Sequence, residues 1–368
     1  MVEYFLRWTT RLVSAPVCVD FAYGAFGRVI SGGVRKIQMI WARVHRVPLK
    51  YFKGSYFYPG KVLQLAVTNV CNARCSFCAY RIVADTDRPT GVMKMETFKK
   101  AVDELSASGG TSIDLTPTVG DPLLDPTLIE KIIYCREKSG VTNITLTTNA
   151  IAMYRRDMFK QLIDAGANYI AISLPGLDAE TYKQVYGIDR YPDVIKGISA
   201  LLEYNQKCGE PARVVLRFRN PEKPSVLIRS QDFVRHIHPF LSDKVTCNFT
   251  VDYDNWGGAI GEQDMFGIMK LRKVPARLNV PCANLFNFMV RYDGTVRLCG
   301  CRLKDVEDDS LVVGNIFQNS LEELGRSPKV HDIMAGFYKG ARPSTCEECS
   351  FYRPLSQKIV KSFESGTQ

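Results

Sequence analysis

Short apolar strands alternate with longer helical stretches from residue 61 onward, and this order restricts the possible folds more than any other feature. Helical patterns cover 95–108, 126–140 and 191–209. The predicted strands are 61–69, 112–117, 143–149, 169–173, 213–219 and 245–252. Alternation of this kind is typical of a parallel sheet with helices packed outside it. Six such units predict an α/β fold, a partial (β/α)6 TIM-like barrel.

The strands carry apolar and polar side chains at alternate positions, so one set faces the helices and the other faces the interior. We expect the apolar set to face the helices, which also places Cys247 on the outer face and argues against a catalytic role for it. The predicted inward set is Gln64, Thr68, Asp114, Thr116, Thr145, Thr147, Asn149, Ser173, Arg217, Arg219, Asn248, Thr250 and Asp252. Unpaired polar groups in a dry interior are costly. The pattern therefore predicts a cavity that holds water or a ligand.

The chain of 368 residues contains twelve cysteines, and eight of them fall within 71–78 and 282–349. The chain is far too long for a small disulfide scaffold, so this grouping favours metal ligation in a reducing compartment. The scattered cysteines are better explained as buried structural thiols. No apolar run reaches the roughly 18 residues that a membrane span needs. We therefore expect a cytoplasmic protein.

The first cysteine group reads CNARCSFCAY over 71–80 and follows directly after the first strand. Barrel enzymes of this type place their chemistry at the carboxyl ends of the strands. Thiolates spaced i, i+4 and i+7 can bind one face of an iron–sulfur cube, and three ligands for four irons leave one iron open for chemistry. The alternative is a zinc site completed by a ligand from elsewhere. Zinc sites favour cysteine pairs separated by two residues, so zinc is the less favoured interpretation.

The spacing of Cys71, Cys75 and Cys78, with Phe77 before the last thiol, resembles the CxxxCxΦC signature of radical S-adenosylmethionine (SAM) enzymes. The resemblance covers 61–252 as the partial barrel. It implies that the three cysteines bind a 4Fe–4S cluster whose open iron binds the amino and carboxylate groups of SAM. One electron, from a donor of the flavodoxin or ferredoxin type, then cleaves SAM to a 5′-deoxyadenosyl radical, which takes a hydrogen atom from the substrate.

Further segments match the same family in order along the chain. Residues Val119–Pro122 follow the second strand and look like the family's GGEP segment, with Asp121 in place of the glutamate. This match implies that Gly120 and Asp121 contact the methionine part of SAM. Asn149 and Ser173 end the third and fourth strands, where that family contacts the methionine and ribose parts of the cofactor.

Four thiols of the second group, Cys282, Cys299, Cys346 and Cys349, are similar in spacing to the SPASM/twitch auxiliary-cluster domain. The resemblance implies a small C-terminal iron–sulfur domain over 253–353 that binds a second, auxiliary 4Fe–4S cluster. Because no cysteine follows the CxxC pair, we expect one auxiliary cluster rather than two. Four thiolates ending in CxxC also suit zinc, which remains the alternative.

Three further features lie in the same region. The segment Asn255–Gly258, NWGG, also resembles the SPASM subfamily. Two alternating runs joined at Asp293 and Gly294 predict a hairpin, because Asp-Gly is a favoured hairpin turn. Cys301 is a fifth thiol of this group. It is interpreted as a replacement ligand, a packing residue or a hydrogen-atom donor, and in the last role it is the candidate catalytic residue.

The substrate is constrained mainly by the resemblance. SPASM and twitch relatives oxidise or epimerise sugars and aminocyclitols, or modify ribosomally made peptides. The first 60 residues lack the strand pattern of a leader-binding winged helix, which favours a carbohydrate-like or other small-molecule substrate over a peptide.

Arg217 and Arg219 face the predicted cavity, where they would reach the SAM carboxylate and an acidic group of the substrate. The alternative is ion pairing of these arginines with Asp114, Asp121 or Asp252. The alternative function outside the enzymes is that of a zinc-binding scaffold protein.

Residues 1–60 are predicted to form a basic, aromatic-rich helical extension, and 354–368 a C-terminal tail. In 33–47, apolar side chains fall on one helical face and basic side chains lie off it. Such a helix either makes a peripheral contact with an anionic membrane, which would suit a lipid-linked substrate, or packs on the barrel. No nucleic-acid-binding motif is present, so no nucleic-acid partner is expected.

Overall fold

The computed structural model describes most of the chain between residues 62 and 364, together with short stretches before it. The described residues are 37, 39–40, 42–44, 47–48, 55–58, 62–80, 89–219, 223–250, 252–265, 270–300, 302 and 309–364. Much of the extension predicted over 1–60, and the end of the tail predicted over 354–368, lie outside the described residues.

Six of the strands fall where the sequence pattern predicts them, and several are shorter than predicted. The strands are β1 (Leu63–Leu65), β2 (Ser112–Asp114), β3 (Asn143–Thr148), β4 (Tyr169–Leu174), β5 (Arg213–Phe218), β6 (Val245–Phe249), β7 (Asp252–Tyr253), β8 (Lys270–Leu271), β9 (Phe288–Val290), β10 (Thr295–Leu298) and β11 (Val312–Asn315). The helices are α1 (Met95–Ala107), α2 (Leu128–Glu137), α3 (Met158–Ala165), α4 (Ala179–Tyr186), α5 (Tyr191–Lys207), α6 (Pro224–Leu227), α7 (Gln231–His236), α8 (Leu321–Arg326), α9 (Pro328–Lys339), α10 (Ser344–Glu347) and α11 (Gln357–Glu364).

The main sheet has nine strands in the order β11-β10-β9-β1-β2-β3-β4-β5-β6. Strands β1 to β6 are all parallel to their neighbours. Between consecutive parallel strands the chain crosses over through at least one helix, as parallel pairing requires. The predicted α/β fold with a partial parallel barrel is confirmed.

Side-chain burial follows the predicted alternation in β3 and β6, whereas β1 and most of β4 are buried on both faces. In β3, Ile144 and Leu146 are fully buried, whereas Thr145 and Thr147, each following one of them, are partly exposed. Cys247 in β6 is buried, as expected for the helix-covered face. The inner face is therefore polar and only partly exposed: Thr145, Thr147 and Arg217 are partly exposed, whereas Gln64 and Ser173 are buried.

The hairpin predicted around Asp293 and Gly294 is present, and it joins the main sheet. Strand β9 lies parallel to β1, with Gln64 opposite Met289, and β10 returns antiparallel to β9. Gly294 adopts a φ of +84°, which suits glycine in a tight turn. Pairing with β9 covers the β1 edge, which would otherwise present unpaired backbone groups. Strands β9 to β11 thus extend the barrel sheet, whereas β7 and β8 form a separate two-stranded sheet.

None of the helices in the described part of the chain combines the length and the apolar character that crossing a bilayer requires.

Candidate functional site

The first cysteine group lies in the loop that leaves the carboxyl end of β1, and the end of helix α4 holds this loop. The backbone N–H of Arg74 donates to the carbonyl of Tyr186 at 3.0 Å, and that of Ser76 donates to the carbonyl of Val185 at 2.9 Å. The last carbonyls of a helix have no partner within the helix, so they are available to bind such a loop. Backbone contacts with the end of α4 therefore help to fix the position of the loop.

The three thiols of this loop lie close enough to influence one another electrostatically. Burial, followed by the nearby Asp121 carboxylate, raises the pKa of Cys71 to about 12. Burial, followed by the thiols of Cys78 and Cys71, raises the pKa of Cys75. Such thiols keep their protons at neutral pH unless a metal replaces them, and a coordinating thiol is deprotonated outright. The donor set thus fits a cationic metal cluster.

Two N–H groups point at sulfur atoms of this loop. The side-chain amide of Asn149 donates to the Cys71 sulfur at 3.9 Å, and it also donates to Asn72 at 2.8 Å. The backbone N–H of Tyr80 donates to the Cys78 sulfur at 3.4 Å. Hydrogen bonds to thiolate sulfur are among the features that tune iron–sulfur clusters. The predicted residue Asn149 is thereby placed beside the thiol loop.

Within the described residues, no three His, Cys, Asp or Glu side chains are grouped to hold a metal ion. In a 4Fe–4S cluster the cysteine thiolates bind different irons, so its ligands do not converge on one point as the ligands of a single ion do.

Asp121 is buried, and its carboxylate is surrounded by protein donors. It accepts from the backbone N–H of Leu123 at 3.0 Å, from the Thr148 hydroxyl at 2.9 Å and from the backbone N–H of Asn149 at 2.8 Å. Its own N–H donates to the carbonyl of Val70 at 2.8 Å. The residue thus joins the ends of three strands. A carboxylate offers about four acceptor sites, so contact with a cofactor ammonium group would require Asp121 to share oxygens that already accept hydrogen bonds.

Gly120 packs against the backbone of Thr68, Asn69 and Val70, directly before the thiol loop. Its φ is +123°, and a Cβ at this position would lie 3.0 Å from the Thr68 carbonyl oxygen and 3.1 Å from that of Val70. Both atoms belong to the backbone and cannot rotate away. A glycine is therefore required here both by the backbone angle and by the close approach.

We expect Gly120→Ala to lower the free energy of unfolding by about 1–3 kcal/mol, the usual cost of a residue held in a forbidden backbone region, and to reduce iron incorporation. The matched control is Gly109→Ala, because Gly109 also has a positive φ, +81°, but no atom within 4 Å of an added Cβ. Denaturant unfolding and iron analysis of both variants check this. Equal iron content in the two variants would contradict the role given to the close approach.

Aromatic side chains and an arginine pack around the predicted residue Phe77. The Phe77 ring lies 5.8 Å from Tyr186 and 4.6 Å from Tyr253 between centroids. The guanidinium of Arg219 lies 5.4 Å from the Phe77 ring and donates to the Tyr253 hydroxyl at 2.6 Å. Ser173 accepts from the Tyr186 hydroxyl at 3.0 Å. The structure thus brings Phe77, Ser173 and Arg219 together around the thiol loop.

Arg217 lies farther down the same face of β5. Its guanidinium donates to the Tyr169 hydroxyl at 3.3 Å, the one hydrogen bond that it makes to the described part of the chain. Across the sheet register it is flanked by Ser173 and Asn248, and it acts electrostatically on Asp114. The predicted placement of Arg217 inside the barrel agrees with this position.

The second cysteine group is assembled from three separate segments. The segment after Cys349 pairs with the one around Cys282, since Ala283 N–H donates to the Arg353 carbonyl at 2.8 Å. The N–H of Arg353 then donates to the Cys282 sulfur at 3.3 Å. Burial and the three other thiols of the group raise the pKa of Cys346 well above its usual value. All four predicted thiols, Cys299 included, are thus neighbours.

The NWGG segment lies directly against the CxxC pair. The Asn255 side chain donates to the Glu348 carbonyl at 2.7 Å and accepts from the Ser350 N–H at 2.9 Å. A Cβ on Gly257 would lie 2.7 Å from the Thr345 carbonyl oxygen. The sequence feature noted at Asn255–Gly258 therefore positions the loop that carries Cys346 and Cys349.

Arg297 organises the turn after β10 and was not identified from the sequence. Its side chain is completely buried and donates to the Asp309 carboxylate at 2.9 Å, to the Arg302 carbonyl at 2.9 Å and to the carbonyl of Cys299. Asp309 also accepts from Arg291. The only sequence signal is a charged residue within the otherwise apolar strand pattern of β10.

Cys301, the candidate catalytic residue, lies outside the described residues. Arg277 is a second residue that the sequence analysis missed, and it donates to the carbonyls of Glu347 and Cys349 at 2.9 and 2.7 Å. No periodicity or motif marks Arg277, because its role depends on where a distant loop lies.

Two family models match the chain, each over one cysteine group. The model of the Radical SAM superfamily matches residues 65–223, and SPASM, an iron-sulfur cluster-binding domain, matches 282–350. Among curated proteins, GTP 3′,8-cyclase of Chlorobaculum tepidum is 29% identical over 142 residues, 38% of this chain and 40% of the relative. The enzyme of Klebsiella pneumoniae (strain 342) is 30% identical over 154 residues, 40% of this chain and 43% of the relative. The chain therefore spans about two fifths of the length of these relatives.

Solved structures with a similar chain course include BtrN in complex with AdoMet and 2-DOIA, at 17% identity and a TM-score of 0.48, covering 78% of this chain and 92% of that one. Native anSMEcpe with bound AdoMet gives 15% identity and a TM-score of 0.48, covering 83% and 96%. The two family models match in the order in which the two thiol groups occur. Residues 65–223 are thus a radical SAM domain and residues 282–350 an SPASM iron–sulfur cluster-binding domain, and these two domains imply SAM, a 4Fe–4S cluster and auxiliary iron–sulfur ligation as cofactors.

Proposed function

We propose that this protein is a radical SAM enzyme that takes a hydrogen atom from a carbohydrate-like or other small-molecule substrate and thereby oxidises or epimerises it. The observation that carries the proposal is the position of the thiol loop 71–78. The loop lies at the carboxyl end of β1, above an inner sheet face that is polar and partly exposed. Open parallel sheets bind ligands at this edge.

Cys71, Cys75 and Cys78 are the proposed ligands of the radical-forming cluster. When bound there, the 4Fe–4S cluster and SAM supply a 5′-deoxyadenosyl radical, and the protein contributes positioning and exclusion of water. Asn149 and the N–H of Tyr80 donate to two of the sulfurs. Gly120 permits the close backbone approach, and Asp121 fixes the strand ends around the site.

Cys282, Cys299, Cys346 and Cys349 are the proposed ligands of the auxiliary cluster. With all four thiols engaged, this cluster has no open position, which suits electron transfer rather than direct binding of substrate. An oxidation would deliver its electron there, whereas an epimerisation needs a hydrogen-atom donor. Cys301 remains the candidate donor. A flavodoxin- or ferredoxin-type protein is the proposed source of electrons.

Arg217 supports a substrate or cofactor with an acidic group. Its guanidinium makes one hydrogen bond to the described residues, so further N–H donors are available toward the partly exposed interior. Planar guanidinium groups bind carboxylates and phosphates through paired hydrogen bonds. Ser173 and Asn248 lie beside Arg217 on the neighbouring strands. This row of polar groups suits a sugar-like molecule, and a modified peptide is the alternative substrate.

The test incubates reduced, reconstituted enzyme and SAM with deuterated sugars, aminocyclitols or peptides and measures deuterium in 5′-deoxyadenosine by mass spectrometry. We expect label from a carbohydrate-like substrate and none from the Cys75→Ala variant. Label from peptides alone would replace the proposed substrate class. A protein that holds zinc and never cleaves SAM would refute the enzymatic function altogether.

A second candidate, contact with an anionic membrane and a lipid-linked substrate, is favoured by the helical residues near the N-terminus. Ile37, Ile40 and Val44 are 57%, 58% and 70% exposed. In the same stretch Ala42 packs against Leu278 and Val280. This stretch therefore contacts the protein through Ala42 and Met39 and leaves three aliphatic side chains outside, as interfacial helices do.

The membrane contact is tested by sedimentation with phosphatidylglycerol vesicles. Replacing the three exposed aliphatic residues with Asn should abolish the binding, whereas Val226→Asn, at a side chain 52% exposed elsewhere on the surface, should leave it intact. Binding that is unchanged in the triple variant would exclude this surface as the contact.

A further inference from the structure

The side chains of Phe77, Tyr253 and Arg219 form one compact unit, here called the arginine platform. Phe77 is part of the thiol loop, Tyr253 ends β7 and Arg219 follows β5. The Arg219 guanidinium lies 5.4 Å from the Phe77 ring and 5.1 Å from the Tyr253 ring. Its hydrogen bond of 2.6 Å to the Tyr253 hydroxyl fixes the orientation of the guanidinium. Three separate segments thus hold one cation beside the cysteines.

Four ionisable groups act electrostatically on Arg219, namely Tyr253, Tyr186, Asp254 and Cys75, and Asp254 is the one carboxyl group among them. Asp254 is already paired with Arg302 at 2.7 Å. In the described part of the chain, no carboxylate lies within ion-pair distance of Arg219. The thiols of the first cysteine group become thiolates when they bind a cluster, so a bound cluster would place negative charge beside this cation.

We propose that Arg219, oriented by Tyr253 and Phe77, is a positioning residue that raises the reduction potential of the cluster bound by Cys71, Cys75 and Cys78. The inference rests on the proposed function, because it requires a cluster at these thiols. Reduction adds one negative charge to the cluster. A nearby fixed cation stabilises the reduced form more than the oxidised form, and the effect is large where solvent screening is weak.

The test is a potentiometric titration of the anaerobically reconstituted full-length protein, followed by electron paramagnetic resonance. The signal of the radical-forming cluster is identified as the one that changes when SAM is added. We expect Arg219→Gln to lower the ratio of reduced to oxidised cluster at least tenfold at a fixed potential, which corresponds to 59 mV for a one-electron couple. Arg219→Lys, which keeps the charge, should recover part of this loss. The matched control is Arg213→Gln, at the opposite end of the same strand face, and it should titrate like the wild type.

Three other outcomes of the titration would each decide a different question about Arg219 and the proposed function. A wild-type protein without a SAM-responsive signal would refute the proposed function rather than this inference. An unchanged potential in Arg219→Gln together with weaker SAM binding in equilibrium dialysis would overturn the inference and assign Arg219 to the cofactor carboxylate. If Arg219→Gln fails to take up iron, Tyr253→Phe decides: it keeps the charge but loses the orienting hydrogen bond. A lower potential in Tyr253→Phe supports the proposal, and an unchanged potential overturns it.

Discussion

Replacing Cys75 with alanine should abolish SAM cleavage and halve the iron content, from about eight to about four irons per chain if both cysteine groups bind cubes. Both Cys78 and Cys71 act electrostatically on Cys75. Two thiolates cannot replace three as ligands of a cluster with one open iron. Iron analysis, visible absorption and the yield of 5′-deoxyadenosine check the result.

The matched control for this prediction is Cys208→Ala, because Cys208 is an exposed thiol beyond the end of helix α5. It should retain full iron content and full SAM cleavage. Retention of all iron in Cys75→Ala, or an equal loss in both variants, would show that residues 71–78 do not bind the radical-forming cluster.

Replacing Asp309 with asparagine should lower the free energy of unfolding by about 3–5 kcal/mol, because it leaves a buried arginine without its counter-ion. The side chains of Arg297 and Asp309 are 0% and 4% exposed, and their closest atoms lie 2.9 Å apart. Auxiliary iron should fall as well, since Arg297 binds the carbonyl of Cys299. Denaturant midpoints and iron content measure the two effects.

A surface pair provides the comparison. Glu322→Gln breaks an arginine–carboxylate contact with Arg326 whose side chains are 45% and 62% exposed, and it should change stability by less than about 1 kcal/mol. If Asp309→Asn behaved like Glu322→Gln, the buried pair would not support the turn after β10.

The contribution of Asp309 to the free energy of unfolding should decrease at low pH. Although burial opposes it, the guanidinium groups of Arg297 and Arg291 hold the pKa of Asp309 below its usual range. A carboxyl whose pKa is lowered in the folded state stabilises the protein above its unfolded pKa, about 3.9 for aspartate. The stability difference between wild type and Asp309→Asn should be constant from pH 5 to pH 7 and shrink below about pH 4. A stability difference between the two proteins that grows on acidification would contradict this prediction.

Much of the barrel could be predicted from local patterns. The alternation in NITLTT and the neighbouring strands indicated strand positions and which side chains face the interior, and burial of Ile144 and Leu146 agrees with it. The spacing of Cys71, Cys75 and Cys78 indicated the type of cofactor. Both features depend on neighbouring residues in one segment, because side-chain direction along a strand repeats every two residues.

The ion-pair alternative for Arg219 illustrates what could not be predicted. The alternation of side-chain direction along the strand predicted that this residue faces the inside of the barrel. Asp114, Asp121 and Asp252 were its possible ion-pair partners. The structure instead places Arg219 against Phe77 and Tyr253, with a hydrogen bond to the tyrosine hydroxyl. The alternation along a strand predicts which face of the sheet a side chain lies on. It does not predict which of several distant side chains will contact it on that face.

The amino-acid order alone determined the parallel α/β core, its polar interior and two groups of thiols, since these follow from short-range periodicity and spacing. Tertiary structure alone decided that β9 pairs with β1, that Asp121 joins three strand ends, and that Arg297 supports the second thiol group. Each of these contacts joins segments that are far apart in the chain or depends on how a loop closes. Many segments of the chain could make each of these contacts. Which segments do so depends on the burial and hydrogen bonding of the whole folded chain.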